Sequence, residues 1–296
     1  MLSFLSRGQT LMKLNAIFIL GAMVGVAQAQ TFTDSFQYAA GANIHGLTSP
    51  TGLTWGSHNL ASNDKNTVTS TGLSYADAGY SQYSASGEAL EVSSEGAAPP
   101  NWLPTGHVSM AYSWKPSTLG RTVYASFLTK PTHGNASIQS LYFDGGALIG
   151  TGNGAFISGF YMKNGKYTIQ AYDSSLQIFP EVVTSKSSVL GQTDLVLVKL
   201  EQDLPGGLVR FSLAVNPVFG AADPVWDGVV TAKLGYSSSF RAEFSANHYD
   251  GMQVARVQYD EIRFGSNLAS VTPVPEPSTL LLLGAGIGAF LRRKRS

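Results

Sequence analysis

From Thr31 to about residue 270, apolar residues recur every second position, in short runs broken by Gly, Ser, Asn and Pro. A period of two places alternate side chains on opposite faces of an extended chain, so these runs predict strands. In His107–Trp114 the residues Val108, Met110, Tyr112 and Trp114 share one face, and in Lys166–Tyr172 the residues Tyr167, Ile169 and Ala171 do the same. Thr122–Leu128 continues the β-rich pattern. Asp194–Leu200 is nearly all apolar, as expected of a central strand buried on both faces. The turn Leu204-Pro-Gly-Gly207 then leads into Leu208–Val215, which predicts a hairpin. The longest alternating run is Met252–Phe264, where Val254, Val257, Tyr259 and Ile262 compete for the inner face. The one-residue change of phase between Val254 and Val257 predicts a bulge there. No convincing helical period extends over ten residues before the tail, so the body, residues 30–270, is expected to be all-β: two packed antiparallel sheets in a β-sandwich.

The two ends are patterned differently. Residues 14–26 form an apolar segment behind Lys13, and Ala27-Gln28-Ala29 is a small-x-small cleavage site before Gln30. The segment is short for a membrane span, so residues 1–29 read as a removed signal peptide, with Met12 the more natural start. At the other end, residues 271–296 hold Pro275-Glu276-Pro277, an uncharged run from Leu280 to Leu291, and Arg292-Arg293-Lys294-Arg295. As a helix the twelve-residue run reaches only about 18 Å, against the ~30 Å of a bilayer's hydrocarbon core. It is a marginal anchor formed by Leu280, Leu281, Leu282, Leu283, Gly284, Ile287, Phe290 and Leu291, a short C-terminal hydrophobic helix. The four cations hold the far end on the cytoplasmic side, which leaves the body across the membrane.

The order of triplet, Leu-rich run with Gly284, Gly286 and Gly288, and basic stop resembles the C-terminal sorting signal of PEP-CTERM proteins. That resemblance implies recognition by a membrane-embedded enzyme of the exosortase type, removal of the tail, and a destination at the cell surface or in an exopolysaccharide matrix.

Composition narrows the function. Formal net charge is +0, but the ends mask an acidic body. Setting aside Arg7, Lys13 and the four terminal cations leaves 13 basic residues, and setting aside Glu276 leaves 18 acidic ones, a difference of −5. This dispersed charge, with no basic stripe, argues against nucleic acid. Cysteine is absent, which removes disulfides, thiolate metal sites and cysteine nucleophiles.

A second resemblance spans most of residues 31–270. Asp34-Ser-Phe-Gln-Tyr38 with Gly41 and Trp55 opens the domain; Leu195–Leu200, Phe211–Pro217 and Tyr259-Asp-Glu-Ile-Arg-Phe-Gly265 close it. This order is similar to the laminin-G/concanavalin-like jelly rolls of bacterial surface proteins. It implies that the first and last strands pair, with Phe36 and Phe264 in adjacent strands.

Glucanases among the relatives of that fold cut polysaccharide with two carboxylates on one strand face. Glu201 and Asp203 have the required alternation, but the third acid expected three residues on is replaced by Gly206. A solvated strand end is the better account of them. Strict alternation sends Asp260 and Glu261 to opposite faces, where they do not form a pair. His45, His58, His107, His133 and His248 are scattered without ligand spacing, and no nucleophile elbow or zinc-binding helix motif occurs. The oxygen-rich loops Asn63-Asp64-Lys65-Asn66 and Asp144-Gly145-Gly146 offer a place for calcium, although turns need the same residues; no other metal or cofactor is expected. Trp55, Trp102, Trp114 and Trp226 are candidates for stacking on sugar rings, against the commoner fate of core packing. The sequence therefore reads as an exported, surface-sorted, non-enzymatic envelope or matrix protein. A glycan-binding module or glycan-active enzyme is the alternative, and its partners would be the processing enzyme, the membrane and extracellular polysaccharide.

Overall fold

The computed structural model describes residues 31–52, 54–57, 65–83, 85, 87–94, 107–114, 121–133, 139–144, 157–163, 165–173, 175–176, 178–219, 223–233, 240–246 and 255–273. The signal peptide and the sorting tail from Val274 onward lie outside the described residues.

One sheet takes β1 (Thr31–Asp34), β3 (Lys65–Val68), β4 (Leu90–Ser94), β6 (Thr122–His133), β11 (Asp194–Leu204), β12 (Leu208–Val215), β13 (Gly228–Lys233) and β15 (Ala255–Gly265). Its order is β13-β12-β11-β6-β15-β4-β3, with β1 also paired to β15. The other takes β2 (Trp55–Ser57), β5 (His107–Trp114), β7 (Gln139–Asp144), β8 (Ile157–Lys163), β9 (Lys166–Gln170), β10 (Glu181–Ser187) and β14 (Phe240–Ala246), ordered β10-β9-β8-β7-β14-β5-β2. Neighbouring strands are antiparallel throughout. A single turn of helix, α1 (Leu268–Val271), follows the last strand.

The strand periods explain the layers. On β6, Val123, Ala125 and Phe127 enter the main core between the sheets, while Tyr124 and Leu128 belong to two smaller clusters on the outer face of the larger sheet. Loops cover that outer face, so β11 is buried on both sides, as its unbroken apolar run requires. The main core includes Trp55, Phe127, Phe211, Phe244, Tyr259 and Phe264, all 0% exposed. Each such apolar side chain contributes about 1.5–3 kcal/mol by leaving water. Phe244 meets Phe127 edge-to-face at 5.2 Å and Tyr259 at 5.0 Å.

Two buried aspartates tie the sheets together. Asp34, ending β1, accepts from Trp55 Nε1 of the opposite sheet (2.7 Å), from Tyr38 Oη (2.7 Å) and from the Phe36 amide (2.8 Å). Asp194, opening β11, accepts from Tyr167 Oη of β9 (2.8 Å), Gln192 and Asn216. Burial is the main reason that the Asp34 carboxyl and the Tyr167 hydroxyl both sit above their ordinary pKa.

The expected pairing of first and last strands is present, with a corrected register. Phe32, not Phe36, lies opposite Phe264. Phe36 falls beyond β1 with φ 53°, yet its ring is fully buried in the same core. The hairpin at residues 204–207 forms as expected, closed by Gly207 N donating to Leu204 O, with Gly206 and Gly207 both left-handed.

Candidate functional site

The irregularity predicted between Val254 and Val257 is present at Arg256 and Val257, and β15 carries a second one further on. Asp260 faces Leu128 and Arg263 faces Ser126, so Glu261 and Ile262 together stand opposite Phe127. The other irregularity, at Arg256 and Val257, places its extra residue, Thr132, on β6. The β15 bulge requires φ 49° at Glu261, and it overturns the expectation of opposite faces. Ile262 keeps its place in the core while Glu261 joins Asp260 and Arg263 on the outer side. There Arg263 Nη2 donates to Glu261 Oε2 at 2.9 Å. Asp260 accepts from the Leu73 amide (2.7 Å) and the Glu261 amide (2.7 Å).

These acids form a buried group rather than an open site. Asp260 is 0% and Glu261 5% exposed, beneath the segment that carries Leu73 and Tyr75. Burial, with the Glu261 charge in the same direction, pushes the Asp260 carboxyl up to about 8. Its two amide donors oppose that shift. The Tyr75 hydroxyl is fully buried beside Arg263, and burial, opposed by the Arg263 charge, raises its pKa. Gly72 fits because a Cβ there would stand 2.7 Å from both Asp260 Oδ2 and Gly87 O.

Glu201 and Asp203 each face cations. Glu201 is held by Lys199 (3.4 Å) and Arg210 (3.4 Å), and Asp203 by Arg121 (3.6 Å). Asp203 sits at φ 53° within the register shift that enters the turn, so strand alternation has ended before it. Lys199 also lies 3.4 Å from Asp223 and over the Tyr124 ring.

The tryptophans diverge. Trp55 is fully buried and donates to Asp34, which removes it from any glycan platform. Trp226 is half-buried against the outer cluster of Tyr124, Leu197, Ala214 and Val271. Trp114 is described only as backbone in β5, and Trp102 lies outside the described residues. Of the calcium candidates, Asn63, Asp64, Gly145 and Gly146 lie outside as well; Lys65 and Asn66 belong to β3, and Asp144 ends β7. No group of three or more metal-binding side chains exists among the described residues.

The chain's exit toward the tail is well defined. Asn267 caps α1 by accepting from the Ser270 amide (3.0 Å). Gly265 leaves room for Ser270, whose Oγ would stand 1.9 Å from a Cβ at that position. Val271 is 0% exposed, and its carbonyl accepts from the buried Ser126 hydroxyl at 2.6 Å. Pro273 is buried too. The sorting residues themselves, Pro275, Glu276, Pro277, the anchor run and Arg292–Arg295, are outside the described residues, as are Ala27 and Ala29. No helix among the described residues is long and apolar enough to cross a membrane. Sequence reasoning missed Tyr75 and Ser126, whose roles depend on partners 188 and 145 residues away in the chain; neither carries a local signal.

Comparison with known proteins accords with this layout. Residues 273–295 match the family described as the PEP-CTERM protein-sorting motif. No curated protein matches the chain. Among solved structures, an endo-β-1,4-glucuronan lyase from the fungus Trichoderma reesei superposes with a TM-score of 0.53 at 12% identity, covering 83% of this chain and 99% of that one. A lectin from Ulex europaeus gives a TM-score of 0.44 at 11% identity, over 80% and 98% of the respective chains. The body thus has the concanavalin-like β-sandwich fold, and a PEP-CTERM sorting signal follows it.

Proposed function

We propose that this chain is an exported, non-enzymatic protein of the cell surface or exopolysaccharide matrix, delivered by removal of its tail. The observation that carries the reading is the sorting motif at residues 273–295, which begins at the buried Pro273, just after α1. An exosortase-type enzyme is the partner that such a motif implies. The described acids support the non-enzymatic part: Glu201 and Asp203 are held in ion pairs, and Asp260 and Glu261 are sealed under a loop, away from substrate. The alternative, a glycan-binding or glycan-active body, has the fold in its favour, and folds of this kind host many unrelated activities.

Intact mass of the exported protein, from cells with and without the tail-processing peptidase, tests the proposal. A mature form beginning at Gln30 and ending near Pro275 only when the peptidase is present is the expected result. A form still ending at Ser296 in both strains refutes it.

A further inference from the structure

The most exposed large apolar side chains among the described residues are Val225 at 89% and Val218 at 87%. Their chain neighbours Trp226 and Phe219 both pack against the cluster that contains Val271, and Leu268 of α1 joins them. The two valines therefore project from the same outer region of the larger sheet through which the chain leaves for its tail. The acids that bracket Val225 are balanced by lysines: Asp223 by Lys199 at 3.4 Å, and Asp227 by Lys186 at 4.0 Å. Asp227 also accepts from the Val215 amide, which fixes the loop's base.

Chain length confines this region. Leu280 opens the apolar run seven residues beyond Pro273. Seven extended residues span at most about 23–25 Å. While the tail is seated in the bilayer, the exit point on the sandwich stays within that distance of the lipid surface. Trp226, half-buried next to the exposed Val225, is of the residue type that favours a membrane–water interface.

We propose that Val218, Val225 and Trp226 form the face by which the precursor rests on the lipid surface, orienting α1 and the sorting triplet toward the membrane-embedded processing enzyme. This rests on the sorting reading above. The contact belongs to the precursor, since removal of the tail releases the tether that creates it.

The chain has no cysteine, so single-cysteine probes are unambiguous. Val218→Cys, Val225→Cys and, on β10 of the opposite sheet, Val183→Cys (45% exposed) are each labelled with a fluorophore in the full chain. The proteins are reconstituted through their own tails into phosphatidylethanolamine–phosphatidylglycerol vesicles containing a lipid with a nitroxide near its headgroup. Probes at 218 and 225 should be quenched at least about threefold more strongly than the probe at 183, as expected of groups held in the ~5–10 Å interfacial layer. Equal quenching at the three positions overturns the proposal. So does shielding at 225 that appears without lipid and grows with protein concentration, which would assign the face to a second copy of the chain. Extraction of the full chain by alkaline carbonate before any quenching is read defeats the sorting reading itself, and this proposal with it.

Discussion

Substitution of Asp260 by Asn tests the buried carboxyl at the β15 bulge. In the folded protein Asp260 holds its proton to about pH 8, whereas its ordinary pKa is 3.8. Between these values the folded state binds a proton that the unfolded chain has released, so stability falls as pH rises. For a single fully developed group the slope is about 1.4 kcal/mol per pH unit. From pH 5 to pH 7 the wild type should therefore lose on the order of 2–3 kcal/mol from this residue, a difference that Asp260→Asn does not show. Asp34, also raised by burial, contributes in the same direction but is common to both proteins. The assay is urea unfolding followed by tryptophan fluorescence at several pH values, with the two stability curves subtracted. The difference should narrow steadily from pH 5 to 7, because only the wild type retains the ionising group. Parallel curves would refute the reasoning. They would mean that Asp260 is ionised in the fold, and that the Leu73 and Glu261 amides with the nearby Arg263 outweigh its desolvation.

Four further outcomes are expected. Trp55→Phe keeps the ring in the core but removes the donor to the Asp34 carboxylate, and should cost about 1.5–3 kcal/mol in urea unfolding; a loss near zero would deny Asp34 its inter-sheet role. Gly87→Ala places a Cβ 2.1 Å from Ser35 O at φ +107° and should lower stability by at least about 3 kcal/mol. Gly191→Ala, at φ +81° with open space around it, should cost only about 1–2 kcal/mol in the same urea unfolding. Glu201→Gln breaks half-exposed ion pairs with Lys199 and Arg210, so it should change stability by less than about 1 kcal/mol. It should also leave any binding or cleavage of a polysaccharide panel unaltered.

Much of the fold could be read from period-two patterning because the long strands β6, β11 and β12 bury at least one face. Leu208–Val215 matches its strand to the residue, and the double-sided burial of Asp194–Leu200 follows from loops covering the outer face. The edge strands β2 and β3 were not legible: Trp55–Ser57 and Lys65–Val68 are too short to establish a period. Strict alternation failed at Asp260 and Glu261, since one left-handed residue reverses the faces of everything after it. The irregularity at Arg256 and Val257 falls where the change of phase predicts one, whereas the second, between Asp260 and Arg263, was not drawn from the pattern. Trp55 shows a different limit, because a ring in the core and a ring awaiting a sugar have the same sequence signature. The sorting signal was legible because its information is linear: a triplet, an apolar run and a basic end in order.

The position of β15 also sets a timetable. It lies inside the larger sheet, between β6 and β4 and beside β1, so three strands wait for the segment Ala255–Gly265. A chain threaded through an export channel from its N-terminus delivers that segment after every other described strand of the sandwich. Until then β1 has no partner strand and the sandwich stays open, with its inner sheet face unsealed. Pairing over such long sequence separations is intrinsically slow, which favours completed translocation over premature collapse. The closing strand lies just ahead of the sorting motif at residues 273–295, so closure of the domain and arrival of that motif fall close together in time.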